Sequence, residues 1–318
     1  MKKNILATIA LVGALCWTGC QKDLTIDGDP NGGELSQTDS VWTLTLHAVK
    51  NDGTLTKGLA IGDGDTEAAT TVLKSIWKAG DKVHVFLGER YVGELTAAPD
   101  EQDPHFATLW GMVTTAGIKP GVSSLTLLTP RREWDYTGQN GKLLAIDDPE
   151  NSIESKYHYT MASNVPVTAA TAGFITTETA TFTNQQSIYR MNFRFQNDGG
   201  NDKVAVNAKT VTISGAGTHL VQHYDLEGLS MKREGDITVS LSEATTDPFF
   251  VAICNEYAHG NEEVLTFTVI DDDGATYKGS KTIPGEYNNN GSFVSMKNTT
   301  LNYRLEMNLN SSSVDTVL

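Results

Sequence analysis

The chain has 318 residues, with 24 Lys and Arg against 39 Asp and Glu, and a formal net charge of −15. That balance excludes a nucleic-acid partner, which needs a basic footprint, and electrostatic attachment to anionic lipid. The roughly 300 residues beyond the N-terminal segment are enough for one large or two ordinary domains.

Residues 1–19 read as an export signal. Lys2 and Lys3 supply the positive end, and Ile5 to Leu15 an apolar run too short for a permanent membrane helix. Trp17, Thr18, Gly19 and Cys20 follow, resembling the bacterial lipobox, although Trp17 stands where Leu or Val is commoner. Cys20 is therefore expected to be the lipid-bearing first residue of the mature protein, anchored to the outer membrane through its acyl chains. The alternative is an ordinary signal peptide cut elsewhere. Cys16 leaves with the signal, so Cys254, in the apolar run 249–254, remains as a buried thiol with no disulfide partner. Residues 20–40, rich in Asp, Gly, Asn, Ser and Thr, are a lipidated linker.

The body reads as all-β. Trp42, Leu44, Leu46 and Ala48 alternate with Thr43, Thr45 and His47, the period of a half-buried strand, and Asn51-Asp52-Gly53 turns the chain. Residues 58–70 read as a loop. Gly80-Asp81 marks a turn before a strand in which Val83, Val85 and Leu87 share one face. Residues 91–96 form its hairpin partner. Further strands are expected at 106–113, 124–129, 176–184 and 187–196. Asn197 to Asp202 is the strongest break in the body. Strands then resume at 204–214, 237–241, 249–254, 264–270, 275–283 and 300–309. Short strands with turn chemistry between them predict two tandem β-sandwiches, 41–196 and 197–310, with a tail at 311–318.

Catalytic chemistry is sparse. His219 and His223 are four apart, but Leu220 stands where a zinc protease would place its glutamate. No nucleophile elbow, phosphate loop or dinucleotide motif occurs. Asp271-Asp272-Asp273-Gly274 offers calcium oxygens but is equally an Asp-Gly hairpin turn, and Asp63, Asp65 and Glu67 form a similar acidic loop. The chain is read as a non-enzyme with no cofactor and no metal. Trp134 and Tyr136, in the polar run 131–136, are candidate glycan contacts, or else aromatic caps on a sandwich edge.

The segment Trp77-Lys78-Ala79-Gly80-Asp81-Lys82-Val83 resembles the fimbrillin family of Bacteroides-type bacteria. So do Tyr159 to Ser163, Ser187 to Phe193, Asp273 to Tyr277 and Leu301 to Leu305, in family order. The resemblance implies two transthyretin-like sandwiches and export as a lipoprotein to the cell surface or fimbrium. It implies partners in the form of other pilin subunits joined by strand addition; the competing expectation, resting on Trp134 and Tyr136, is an outer-surface lipoprotein outside any pilus that binds a host or glycan ligand. The resemblance also implies a first strand that proteolysis can remove, opening an apolar groove. Trp42, Leu44 and Leu46 are the candidate exchangeable residues. Lys50 and Lys57 are the candidate cleavage positions, since family stalk subunits are cut after arginine and the first arginine here is Arg90. The competing expectation is a permanent core strand at the same place. The thin apolar content after Asn310 (Val314, Val317, Leu318) favours a tip or accessory subunit over a stalk subunit.

Overall fold

A computed structural model describes residues 40–50, 75–171, 173–196, 203–215, 220–227, 232–254, 263–283, 293–301 and 303–304. Cys20, Lys57, His219, the 197–202 break and the 58–70 loop lie outside these residues. In chain order the first strands are β1 (Val41–Lys50), β2 (Lys82–Leu87), β3 (Arg90–Pro99), β4 (Phe106–Thr114), β5 (Ser124–Thr129) and β6 (Glu133–Asp135). A single π-turn, Ile153–Tyr157, precedes β7 (Thr160–Thr171), β8 (Phe174–Thr177), β9 (Ala180–Asn184) and β10 (Ser187–Gln196). Then come β11 (Lys203–Ala205), β12 (Ala208–Gly215), β13 (Val221–Asp225), β14 (Lys232–Glu234) and β15 (Ile237–Thr245). The last are β16 (Phe249–Ile253), β17 (Glu263–Asp271), β18 (Thr276–Ile283), β19 (Phe293–Leu301) and β20 (Tyr303–Arg304). The described residues are all-β apart from the π-turn, and fall within one compact unit, Asp39–Leu318.

The first strands close on themselves. Hydrogen bonding runs β1–β4–β3–β2–β5–β7 and returns to β1 through β8 and β9. Those two short strands share one stave: β8 pairs with residues 167–171 of β7 and 43–45 of β1, β9 with residues 160–161 and 48–50. Where alternation in the sequence predicts a sandwich, the structure forms a ring, which leaves few open edges. Alternate side chains fill it, among them Leu44, Leu46, Val83, Val85, Leu95, Leu109, Leu125, Leu127, Val167 and Phe182. The β3–β4 contact is close enough that a Cβ on Gly111 would lie 2.1 Å from the Glu94 carbonyl oxygen, so glycine is required there.

A second core gathers the later strands. β10 pairs with β11 and β16 antiparallel and with β19 parallel, although the sequence reads it as the last strand of the first domain. A second sheet runs β15–β12–β17–β18–β20. Phe193 of β10 packs 5.6 Å from Phe267 of β17, and Phe195 packs 5.1 Å from Tyr277 of β18, so the two sheets share one interior. Phe86 and Leu128, on the outer wall of the ring, belong to this second core.

The segment after β5 also crosses to the second core. β6 pairs with β13, some ninety residues later in the chain. Gln139, 2% exposed, holds this crossing: its amide nitrogen donates to the carbonyls of Tyr136 (2.9 Å) and Ala252 (2.7 Å), and its oxygen accepts from the Ala252 N–H (2.7 Å). A buried amide with its partners satisfied fixes one arrangement of backbone.

Candidate functional site

β1 is the first stave of the ring and is hydrogen-bonded on both sides. It runs antiparallel to β4 over Val41 to Val49, with Leu44 opposite Gly111 and Leu46 opposite Leu109. It runs parallel to β8 and β9 on its other side. Period two sends Val41, Thr43, Thr45, His47 and Val49 outward and Trp42, Leu44, Leu46, Ala48 and Lys50 inward. Leu44, Leu46 and Ala48 are buried, and Trp42 is half-buried against the same core. Leu44 and Leu46 each contribute roughly 1.5–3 kcal/mol, so together they approach the lower end of a small domain's stability. Taking β1 out would expose an apolar slot flanked by two unpaired strand edges.

The inward row ends on a charge. Lys50 is 7% exposed, and its ammonium donates to the Ile76 carbonyl at 2.8 Å. The same group lies 4.1 Å from the centre of the Trp77 ring and 3.8 Å from an Asp81 carboxylate oxygen. Trp77 is itself buried and meets Phe182 edge-on at 5.0 Å. The Trp77 to Val83 segment therefore wraps the end of β1, with Asp81 accepting from the Lys78 N–H at 2.9 Å across the Gly80 turn. His158 stands beside the cluster with Nε2 3.0 Å from Asn184 Oδ1. Burial, helped by the Lys50 charge, holds its imidazole down at about 3, and the ring is neutral.

Lys50, expected as a protease position, is thus an interior side chain with engaged partners, because period two carried to residue 50 lands on the inward face. The glycan expectation is corrected in the same way. Trp134 and Tyr136 are 8% and 0% exposed. Trp134 stacks on Tyr224 at 4.8 Å, and the Tyr136 hydroxyl donates to Gln186. β6 turns these rings into the second core rather than toward a sugar. Burial pushes the Tyr136 hydroxyl well above the usual phenol range.

Among the described residues, no three His, Cys, Asp or Glu side chains group to hold a metal ion. Asp271 uses one oxygen on the N–H groups of Asp273 and Ala275 and the other on the Tyr277 hydroxyl, as a hairpin turn does. His223 faces Glu133 at 3.6 Å across the β6–β13 pair. Cys254 is buried. Its backbone carbonyl accepts from Val221. Lys50 stands with Trp134 and Tyr136 among the site residues that the sequence misplaces, and for Lys50 the signal was present in the alternation itself.

No family model matches the chain, and no curated protein matches it. Solved structures do. A candidate cell adhesion protein from Bacteroides fragilis is 12% identical, with 81% of this chain and 93% of that chain covered and a TM-score of 0.36. A candidate cell adhesion protein from Bacteroides uniformis is 15% identical, covering 74% and 83%, with a TM-score of 0.32. A candidate adhesin from Bacteroides ovatus is 12% identical, covering 81% and 87%, with a TM-score of 0.37. At these values the likenesses carry no argument about this chain.

Proposed function

We propose that the chain is a fimbrillin-like surface lipoprotein, a structural and adhesive subunit that joins other pilin subunits by β-strand addition, at a tip or accessory position. Its body is the closed β-ring with the second β-core packed on it, and its anchor is Cys20 in the outer membrane. The observation that carries the reading is β1: the first described stave, paired on both sides, whose inward row of Leu44, Leu46 and Ala48 completes the ring core. A strand so placed can be exchanged as one unit, with backbone hydrogen bonds giving affinity and side-chain pockets giving register.

The test is the N-terminal residue of the protein as it occurs in outer-membrane and sheared-surface fractions. A start at Cys20 supports an anchored subunit, and a start beyond Lys50 supports an exchanged β1. Recovery only as a free periplasmic monomer would end the proposal.

A further inference from the structure

The seat of β1 is selective at two positions that follow one another on the inward face. At Ala48 the register places Ala107 of β4 on one side and Ala180 of β9 on the other. All three are at most 5% exposed, so three small side chains stand abreast across three strands. A larger group would have to displace close-packed neighbours. Two residues on, at Lys50, the slot ends in polar groups: the Ile76 carbonyl, the Asp81 carboxylate and the face of the Trp77 ring. None of the three belongs to β1. When the strand leaves they remain, and an apolar side chain in place of lysine would leave the half-buried Ile76 carbonyl without its donor.

We propose that this seat accepts only strands carrying a residue no larger than alanine at the Ala48 position and a lysine two residues later, behind two large apolar residues at the Leu44 and Leu46 positions. This rests on the strand-addition reading above and names its partner: an extended segment of another protein, running as β1 runs, with the pattern large apolar, x, large apolar, x, Ala or Gly, x, Lys. Within these 318 residues the pattern occurs once, at 44–50, and no lysine follows Lys297. The alternating run Leu301, Tyr303, Leu305, Met307, Leu309 has the apolar row without the cation.

The experiment uses the full chain with a site for a sequence-specific protease placed within 51–74, cut after folding. The cut chain is offered fluorescent peptides of residues 40–50 in a hundredfold excess, by direct exchange and by refolding from urea, so that loss of structure on cutting does not block the comparison. The peptides are the natural sequence, Thr45→Ala on the outward face, Ala48→Leu and Lys50→Met, with residues 301–309 as the unrelated alternating strand. The natural and Thr45→Ala peptides are expected to be retained alike, and the other three at least about tenfold more weakly. Equal retention of Lys50→Met and Ala48→Leu, or of 301–309, overturns the selectivity while leaving strand addition standing. Failure of the natural peptide by both routes overturns strand addition itself.

Discussion

His158 gives the sharpest quantitative consequence of the Lys50 cluster. Its imidazole is held at about 3 in the folded chain, against about 6.5 in an unfolded one. Between those values the unfolded chain binds a proton that the folded chain does not, so stability rises with pH across the window and is lost as pH falls from about 6.5 toward 3. At pH 5 the two-state linkage gives a loss of about 2 kcal/mol relative to pH 8, and the ring keeps some solvent contact, which brings the expectation to about 1–2 kcal/mol. The carboxylates of Asp103 and Asp148, held below the usual carboxylate range chiefly by hydrogen bonds from His105 and from the Asn151 and Glu150 N–H groups, are ionised at both pH 8 and pH 5 and do not confuse the comparison. His84, lowered by its own burial, does contribute in the same window, so the comparison must be between variants. Urea midpoints at pH 8 and pH 5 for the natural chain, His158→Gln and His84→Gln measure it. The pH-dependent loss should shrink by about 1–2 kcal/mol in His158→Gln. An unchanged loss would refute the account of a buried, neutral ring beside Lys50.

Other outcomes follow from the packing. Leu44→Ala should cost roughly 2–5 kcal/mol in urea unfolding, while Thr45→Ala on the outward face should stay within about 0.5 kcal/mol. Gln139→Leu leaves the Ala252 N–H and two carbonyls without partners, and should cost roughly 2–5 kcal/mol, read from the same curves. Trp134→Ala should cost roughly 3–5 kcal/mol and alter the near-ultraviolet circular dichroism, as a core ring does and a surface sugar platform does not. Lys50→Met in the intact chain should destabilise by about 1–3 kcal/mol through the orphaned Ile76 carbonyl, checked by thermal and urea unfolding together.

The local part of this fold was legible. Period two placed β1, β4, β5 and β10 within a residue or two, and Gly80-Asp81 turned where it was expected to. The expected strand 176–184 is β8 and β9, broken at Glu178-Thr179, where one stave meets different halves of β7. What the sequence hid is non-local. β6 is three residues long in a polar run, and only its pairing with β13 makes Trp134 and Tyr136 interior. A polar neighbourhood suggested exposed aromatics, yet Arg132 is drawn aside over the Tyr91 ring and onto Glu227, leaving the rings to the core. Ring closure was hidden too, since alternation is the same in a sandwich and a barrel. Lys50 shows the opposite failure: a cleavage position was placed on it, although the alternation carried two residues past Ala48 assigns it inward.

The order in which β1 finds its neighbours has a kinetic consequence. Its antiparallel partner β4 arrives some sixty residues later, and its parallel partners β8 and β9 about one hundred and thirty residues later. A chain emerging from the ribosome therefore carries Trp42, Leu44 and Leu46 unsheltered until Phe182 has been delivered. Such late long-range pairing is slow and prone to aggregation, so this stave is where a chaperone would have most to guard.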